Sequence, residues 1–376
     1  MQPLSLQAIP GMKLGTLLKV LLRNRGRVNV RYLPRLAYLL ILAGINSYLS
    51  CLERAVDGED IAAAELAAPP LFILGYWRSG TTHLHNLLSC DPAFTSPTAY
   101  QSMFPHHFVY SQPWGARIFN WFTPGRRPMD NVVINGSTPH EEEMALAGLC
   151  GISPYMLALF PATRDGMFSA VDPGKLPPEV LARWQSAYRL FLKKLSFSKG
   201  KRVVLKSPPH LGRVALLLKM FPGAKFIHIV RNPYAVFLSA KKLWHSGLSY
   251  SHLQKPDPRA LEELILSWYR ELYALFERDR RLIPPGSLHE LRFEDLEQEP
   301  RKCLEKLYAD LELADFERSW QRVAEYLKRL TGYRKNRHRL TEEDRARVSR
   351  HWAFNFGRYG YNLIPPLGPG QEVWFN

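Results

Sequence analysis

The chain has 376 residues, and its 50 lysine and arginine residues against 34 aspartate and glutamate residues give a formal net charge of +16. This length allows one large α/β domain or two ordinary ones, and the lack of a Gly/Ser-rich linker favours one. The charge predicts anionic partners, such as polyphosphorylated nucleotides, nucleic acid, acidic glycans or lipid headgroups. The four cysteines are far apart with no CxxC pair, which argues against a zinc site or a disulfide framework and favours a reducing, cytoplasmic compartment.

Residues 1–68 form a predicted N-terminal helical segment of mixed basic and apolar character. Its longest uninterrupted apolar run, 36–45, has ten residues, whereas about 20 are needed to span a bilayer. The run also begins too late for a cleaved signal peptide. Two interpretations remain open: helices packed on the main domain, or a basic amphipathic anchor on an anionic membrane surface. A spanning anchor is a third, weaker alternative.

Strands and helices alternate through a predicted main domain, 69–365, which a short tail, 366–376, follows. Apolar runs and turn signals predict strands at 71–74, 202–207, 225–230 and 287–293, and helices at 79–90, 211–221, 233–244, 258–281 and 300–311. This alternation predicts an α/β fold with a central parallel sheet and helices on both faces. The aromatic-rich stretch 94–121 has no clear period and is predicted to form loops.

A glycine-rich turn, GYWRSGTT from Gly75 to Thr82, lies between the first predicted strand and helix. Backbone N–H groups at such a helix start form an anion site, because they lack intrahelical partners and lie at the positive end of the helix dipole. A nucleotide triphosphatase would carry lysine where Thr81 stands. Because the cation is instead Arg78, the loop favours a 5′-phosphate with one transferable group over a metal-bridged triphosphate.

Two motifs together resemble the sulfotransferases that use 3′-phosphoadenosine 5′-phosphosulfate (PAPS). GYWRSGTT resembles their 5′-phosphosulfate loop, and FIHIVRNPYAVFLS is similar to their 3′-phosphate motif, with Arg231 and Ser239 at the matching positions. LRFEDLEQEP and FGRYGY are weaker resemblances, and together the matches cover roughly residues 70–361. The resemblance implies a P-loop-like sulfotransferase fold, PAPS as donor, 3′-phosphoadenosine 5′-phosphate (PAP) as product, and no required metal.

The resemblance also implies which residues hold the nucleotide. His83 stands where cytosolic members often carry a tryptophan that stacks on adenine, so it is a weaker candidate for that role. Arg358, within FGRYGY, is a candidate contact to the 3′-phosphate. The full predicted set is Arg78, Ser79, Gly80, Thr81, Thr82, His83, Arg231, Ser239 and Arg358.

The catalytic residues implied by the resemblance are Arg78, Lys206, Glu141 and His210. Lys206 matches the family lysine that touches the bridging oxygen, but Pro208 stands where the cytosolic branch has its histidine base. Within PHEEEMAL, Glu141 resembles the acidic base of the bacterial-type branch, and a carboxylate can serve if burial raises its pKa toward neutrality. The alternatives that remain open are His140, His210, Glu142 and Glu143.

The aromatic stretch is interpreted either as core or as an acceptor pocket. A pocket would favour a hydrophobic alcohol, sterol or lipid as the small-molecule acceptor, and the basic N-terminal segment would fit peripheral membrane contact. Two other classes compete with this interpretation. One is a P-loop kinase or triphosphatase, and the other is a non-catalytic basic protein that binds nucleic acid or membrane. We expect no nucleic-acid partner, because no recognisable reading module accompanies the charge.

Overall fold

A five-stranded parallel sheet forms the centre of the protein. The computed structural model describes residues 9–123, 125–127, 132–162, 171–197, 200–330, 335–368 and 370–376. The strands are β1 (Leu71–Leu74), β2 (Phe94–Thr95), β3 (Arg202–Lys206), β4 (Lys225–Val230) and β5 (Leu288–Arg292), in the order β2-β3-β1-β4-β5. Leu71 of β1 is paired with Val204 on one side and with Lys225 on the other, both in parallel register. The predicted parallel sheet is therefore confirmed.

Helices cover both faces of this sheet. Those between the N-terminus and β3 are α1 (Leu14–Arg23), α2 (Leu33–Ala63), α3 (Thr81–Leu88), α4 (Ala99–Met103), α5 (Phe108–Phe122), α6 (Glu143–Cys150) and α7 (Pro178–Phe197). Those after β3 are α8 (Val214–Met220), α9 (Pro233–Lys242), α10 (Pro258–Asp279), α11 (Phe293–Gln298), α12 (Pro300–Asp310), α13 (Phe316–Arg329) and α14 (Glu342–Arg358). A small antiparallel pair, β6 (His338–Leu340) and β7 (Val373–Phe375), lies near the C-terminus.

Successive side chains of β1 enter two different cores, because side chains alternate between the faces of a strand. Leu71 and Ile73 belong to a cluster with residues of α3, α11, α12 and α13. Phe72 and Leu74 belong to the larger cluster, which includes residues of α6 to α10. Since all four side chains are fully buried, the strand is apolar at every position, which is the pattern that predicted it.

The prediction of loops over 94–121 is wrong, since α4 and α5 occupy most of this stretch. The side chain of Thr98 accepts from the backbone N–H of Gln101, whose own side chain accepts from Thr98 N, and this capping box begins α4. The buried positions of α5 are Phe108, Ser111 and Gly115. A polar residue and a glycine on the buried face, with Pro113 inside the helix, hide the helical period of the hydrophobic residues.

A smaller correction concerns the predicted helix at 211–221. The structure divides it into a 3-10 turn, Pro208–Gly212, and α8, which begins at Val214. Arg213 lies between them with φ −121°, and its buried side chain contacts Glu143 and the ring of Trp184.

The N-terminal helices lie against the main domain. Leu17 and Val20 of α1 and Leu39 and Ala43 of α2 belong to the large core cluster. The side-chain amide of Asn46 donates to the backbone oxygens of residues 10 and 12 at 2.8 and 3.0 Å. By length and composition alone, the helical stretch Val30–Ala63 could cross a membrane. Its inner face carries apolar Leu39 and Ala43 together with Asn46 and Glu53, which bond to His107 and Lys194.

Candidate active site

The phosphate loop leads from β1 into α3, and its shape requires glycine at position 80. Gly80 has φ +94°, and a Cβ there would lie 2.2 Å from Cδ2 of Phe293. The neighbouring Arg78 also has positive φ, +71°, which is uncommon for a residue with a side chain. Because α3 starts at Thr81, the backbone N–H groups of Thr81 and Thr82 belong to the first turn, which lacks intrahelical partners.

The two predicted phosphate motifs meet in space. Nε of Arg78 donates to Oγ of Ser239 at 2.9 Å, and Nη1 of Arg231 donates to the backbone oxygen of Arg78 at 3.2 Å. The Arg231 guanidinium also stacks over the Phe293 ring at 4.4 Å and donates to the backbone oxygen of Asn376. The structure therefore brings Arg78, Arg231 and Ser239 to one place, at the carboxyl ends of β1 and β4.

A cleft of about 860 Å3 extends from this place. Gly80, Thr81, Thr82, His83, Arg231 and Ser239 line it. Its basic lining residues are Arg78, Arg126, Arg127, Arg231, Arg329 and Lys335, and Glu297 is the one carboxylate among the described lining residues. Such an excess of positive charge fits a nucleotide that carries phosphate at two positions.

Three other predicted nucleotide contacts have different surroundings. Ser79 is buried, and its hydroxyl donates to the backbone oxygen of Tyr76 at 2.6 Å. The imidazole of His83 lies edge-on to Phe293, with the ring centroids 6.2 Å apart. Arg358 is outside the lining of the cleft and pairs with Glu277 at 2.5 Å.

Three consecutive glutamates, 141–143, each bind a different partner. Glu141 pairs with Nζ of Lys206 at 2.6 Å. Glu142 contacts Nε2 of His210 at 2.7 Å and accepts from the backbone N–H of residue 206 at 3.0 Å. Glu143 accepts from Arg213 at 2.7 Å and from Oγ of residue 207 at 2.9 Å. Each carboxylate therefore has its own partner at the end of β3 or in the segment that follows it.

Glu141 is the member of this triplet that lines a second cavity beside the phosphate loop, which we call the apolar cavity. Burial raises the pKa of its carboxyl, but the charge of Lys206, with smaller effects of His140 and Tyr155, more than offsets burial and holds that pKa below its usual value. The hydroxyl of Tyr155 in turn accepts from Nε1 of Trp77 at 2.9 Å. The expectation that burial raises this pKa toward neutrality is therefore wrong, because the charge of Lys206 outweighs burial. Glu141 is held as a carboxylate between a cation and a phenol.

The other candidates for the base are placed differently. His140 lines both the cleft and the apolar cavity, and burial lowers the pKa of its imidazole to about 4. His210 is fully buried behind β3, where its Nε2 is 2.9 Å from the hydroxyl of Tyr188. Neither His210, Glu142 nor Glu143 is among the described residues that line the two cavities.

The apolar cavity has a volume of about 710 Å3, and its charged residues lie where it meets the cleft. At this junction lie Arg78, Thr81, Thr82, His140, Glu141 and Lys206. The rest of its lining is mainly apolar and comes largely from α2 and α5, including Leu42, Leu49, Phe104, Trp114, Ile118 and Phe119. The aromatic stretch therefore supplies both interpretations, because Phe108 is core while several of its neighbours line the cavity.

Several residues of this site were not predicted from the sequence. Trp77 and Tyr155 line the cavity next to Glu141, and Arg329, Lys335 and His338 line the cleft. Trp77 stands inside the glycine-rich turn, and this position was the one available signal for it. The others lie outside the two phosphate motifs, so no spacing rule points to them.

Two solved structures of mycobacterial sulfotransferases share the fold of this chain. Sulfotransferase STF9 from Mycobacterium avium superposes with a TM-score of 0.65 over 84% of this chain and 82% of its own, at 19% identity. Sulfotransferase STF1 from Mycobacterium tuberculosis H37Rv gives a TM-score of 0.63 over 89% of this chain and 90% of its own, also at 19% identity. The fold is therefore the P-loop-like fold of sulfotransferases.

The sequence comparison identifies the family. The model of the sulfotransferase family matches residues 69–318, and the chain belongs to this family. A relative from Mycobacterium tuberculosis (strain CDC 1551 / Oshkosh), named omega-hydroxy-beta-dihydromenaquinone-9 sulfotransferase Stf3, is 36% identical over 95% of this chain and 92% of its own length. The Mycobacterium bovis protein of the same name matches equally well. The protein is a PAPS-dependent sulfotransferase, as the two phosphate motifs predicted.

Proposed function

We propose that this sulfotransferase transfers the sulfuryl group to the terminal hydroxyl of a lipid with a long apolar chain. The observation that carries the proposal is the cavity of about 710 Å3, which is mainly apolar along α2 and α5 and has its charged residues where it reaches Glu141 and Lys206. A slender apolar chain fills such a space, and its hydroxyl then lies at the polar end. The name of the mycobacterial relative, an omega-hydroxy lipid quinone sulfotransferase, supports an acceptor of this class.

The donor is held by residues of the cleft. We assign the 5′-phosphosulfate to Arg78 and the N–H groups of Gly80, Thr81 and Thr82, because the glycine turn presents them at the start of α3. Arg231 and Ser239 are assigned to the 3′-phosphate, since both line the same cleft within bonding distance of the loop. When bound there, PAPS supplies the sulfuryl group and leaves as PAP.

The catalytic residues lie where the cleft and the cavity meet. Glu141 accepts the proton of the acceptor hydroxyl as the new oxygen–sulfur bond forms, and the electron pair of the broken bond stays on the bridging oxygen of the leaving nucleotide. Lys206 donates a hydrogen bond to that oxygen and offsets its developing charge. Tyr155 and Lys206 hold Glu141 in position before the acceptor binds.

The acceptor reaches the cavity from a membrane surface, and we propose that the protein is peripheral to that membrane. Ile41, Ile45 and Tyr48 form one exposed stripe on α2, and Trp114, Ile118 and Trp121 form another on α5. Both stripes have the spacing i, i+4, i+7, which places their members on one helix face. Ile45, Trp114 and Ile118 are exposed and also line the cavity, so the apolar surface and the cavity are continuous.

The test is an assay with ³⁵S-labelled PAPS and three kinds of acceptor: long-chain terminal alcohols, short alcohols of the same end group, and soluble sugars. We expect the long-chain alcohols to give the highest kcat/KM. Leu42→Trp narrows the apolar end of the cavity and should lower kcat/KM roughly tenfold for long chains, with short alcohols little affected. Ala55→Trp, on the exposed side of α2, is the matched control. Turnover of soluble sugars together with no turnover of apolar alcohols would disprove the proposed acceptor class.

A further inference from the structure

A third cavity, which we call the cationic cavity, lies between α1, α2 and α7, away from the active site. Its volume is about 540 Å3, and it shares no lining residue with the cleft or with the apolar cavity. Its basic lining residues are Lys13, Lys19, Arg23, Arg54, Arg183 and Lys194. Glu53 is the one carboxylate in its described lining.

That carboxylate is already fully engaged. Glu53 pairs with Lys194 at 2.5 Å and also accepts from the backbone N–H groups of Val109 and Tyr110 at 2.8 and 3.2 Å. Lys194 is itself buried, with Nζ 2.6 Å from the backbone oxygen of Pro105. The charges of Glu53 and Lys194 offset each other. Glu53 therefore does not compensate the other five cations.

The remaining cations repel one another across the cavity. Among the described residues, no acidic side chain lies within ion-pair distance of Lys13, Lys19, Arg23, Arg54 or Arg183. Burial and then the charge of Arg54 lower the pKa of Lys13, and burial and then Arg183 lower that of Arg23. An anion bound among these like charges would offset their repulsion.

We propose that this cavity binds a phosphate group. Five uncompensated cations line this concave site, and three of them are arginines, Arg23 of α1, Arg54 of α2 and Arg183 of α7. Such a set suits a tetrahedral dianion or a phosphodiester, whose oxygens accept several hydrogen bonds. The proposal is independent of the acceptor class, because none of these residues touches the active site.

The phosphate has two sources, a membrane lipid headgroup or a soluble phosphate ester. Thr16, Lys19 and Arg23 line the cavity from one side of α1, while Leu14, Leu18 and Leu22 are exposed on the adjacent side. Leu190 of α7 is both exposed and part of the lining. A lipid headgroup in the cavity would leave its acyl chains beside these leucines.

The experiment measures binding of two probes to the full chain with PAP at saturation, so that the active-site cleft is blocked. One probe is sn-glycerol 1-phosphate, titrated by calorimetry. The other is vesicles of equal parts phosphatidylglycerol and phosphatidylcholine, compared with pure phosphatidylcholine vesicles by co-sedimentation. Two double variants remove cavity cations, Arg23→Gln with Arg183→Gln, and Lys19→Gln with Arg54→Gln. The matched control, Lys219→Gln with Arg318→Gln, removes two exposed cations elsewhere.

Both cavity variants should weaken binding of at least one probe by roughly tenfold or more, while the control variant binds like the wild type. Loss confined to anionic vesicles identifies the lipid headgroup as the ligand source, and loss of glycerol phosphate binding identifies a soluble ester. Replacing these partly exposed side chains should not disturb the fold, so the rate of sulfation of a short soluble alcohol should remain unchanged. This activity serves as the control that the variants are folded. The proposal would be overturned if both cavity variants bound the two probes with wild-type affinity, or if the control variant lost as much affinity as they did.

Discussion

Nε of Arg78 lies 2.9 Å from Oγ of Ser239, which joins the phosphate loop to a helix 161 residues further along the chain. This contact sets the distance between the two places where a bisphosphorylated nucleotide is gripped. Arg231 supports the same arrangement by donating to the backbone oxygen of Arg78. The selectivity of the cleft for PAP over 5′-AMP should therefore depend on these three residues together.

The first prediction concerns that selectivity. Arg231→Ala removes the guanidinium assigned to the 3′-phosphate, so PAP should lose roughly tenfold to a hundredfold in affinity while 5′-AMP changes little. Calorimetric titration of both nucleotides measures the difference. Arg322→Ala, an exposed arginine of α13 outside the cleft lining, is the control. Equal binding of PAP and 5′-AMP by the wild-type protein would refute the assignment.

The second prediction concerns the base. Glu141→Gln keeps the shape of the side chain but cannot accept the proton, so kcat should fall by roughly a hundredfold or more, while PAP affinity is retained. His140→Ala is the informative comparison, because His140 lines the same junction and should leave most of kcat intact. Turnover that survives Glu141→Gln and disappears with His140→Ala would transfer the role to the histidine.

The third prediction concerns pH. Burial raises the pKa of Glu141, and Lys206 is the largest influence that lowers it. Lys206→Met should therefore raise this pKa, and since a base acts only when deprotonated, the acid limb of kcat/KM should move to higher pH. The residual activity of this variant is measured across the acid range beside Lys201→Met, an exposed control. An acid limb at the same pH in both proteins would show that Glu141 does not govern it.

The fourth prediction concerns stability. Arg213 and Glu143 form a buried pair at 2.7 Å, and the Arg213 guanidinium lies 4.9 Å from the centre of the Trp184 ring. Arg213→Met leaves a buried carboxylate without its cation and should lower the free energy of unfolding by about 3 to 5 kcal/mol. Replacing both residues with methionine should cost less, because no unpaired charge remains. Denaturant unfolding measures both, and a single variant as stable as the double one would contradict this account.

The donor site could be predicted because its determinants are local in the sequence. The glycine turn and Arg78 lie within eight residues, and Arg231 and Ser239 belong to one strand–helix segment. Four of the five strands of the sheet were predicted, and β1, β3 and β4 were the clearest because burial on both faces leaves a short, mainly apolar run. The strand β2 was missed because it has only two residues. The helix α5 was not, because Ser111 and Gly115 occupy its buried face and interrupt the apolar pattern.

The sequence alone predicted the family and the donor, and it supplied the residues that we propose hold the two phosphates of the donor. Only the tertiary structure distinguished three adjacent glutamates, because their difference lies in Lys206, His210 and Arg213, more than 60 residues away along the chain. The apolar cavity and the cationic cavity also depend on how α1, α2, α5 and α7 pack together. Contacts between distant segments are set by packing of the whole core, and no short stretch of sequence encodes them.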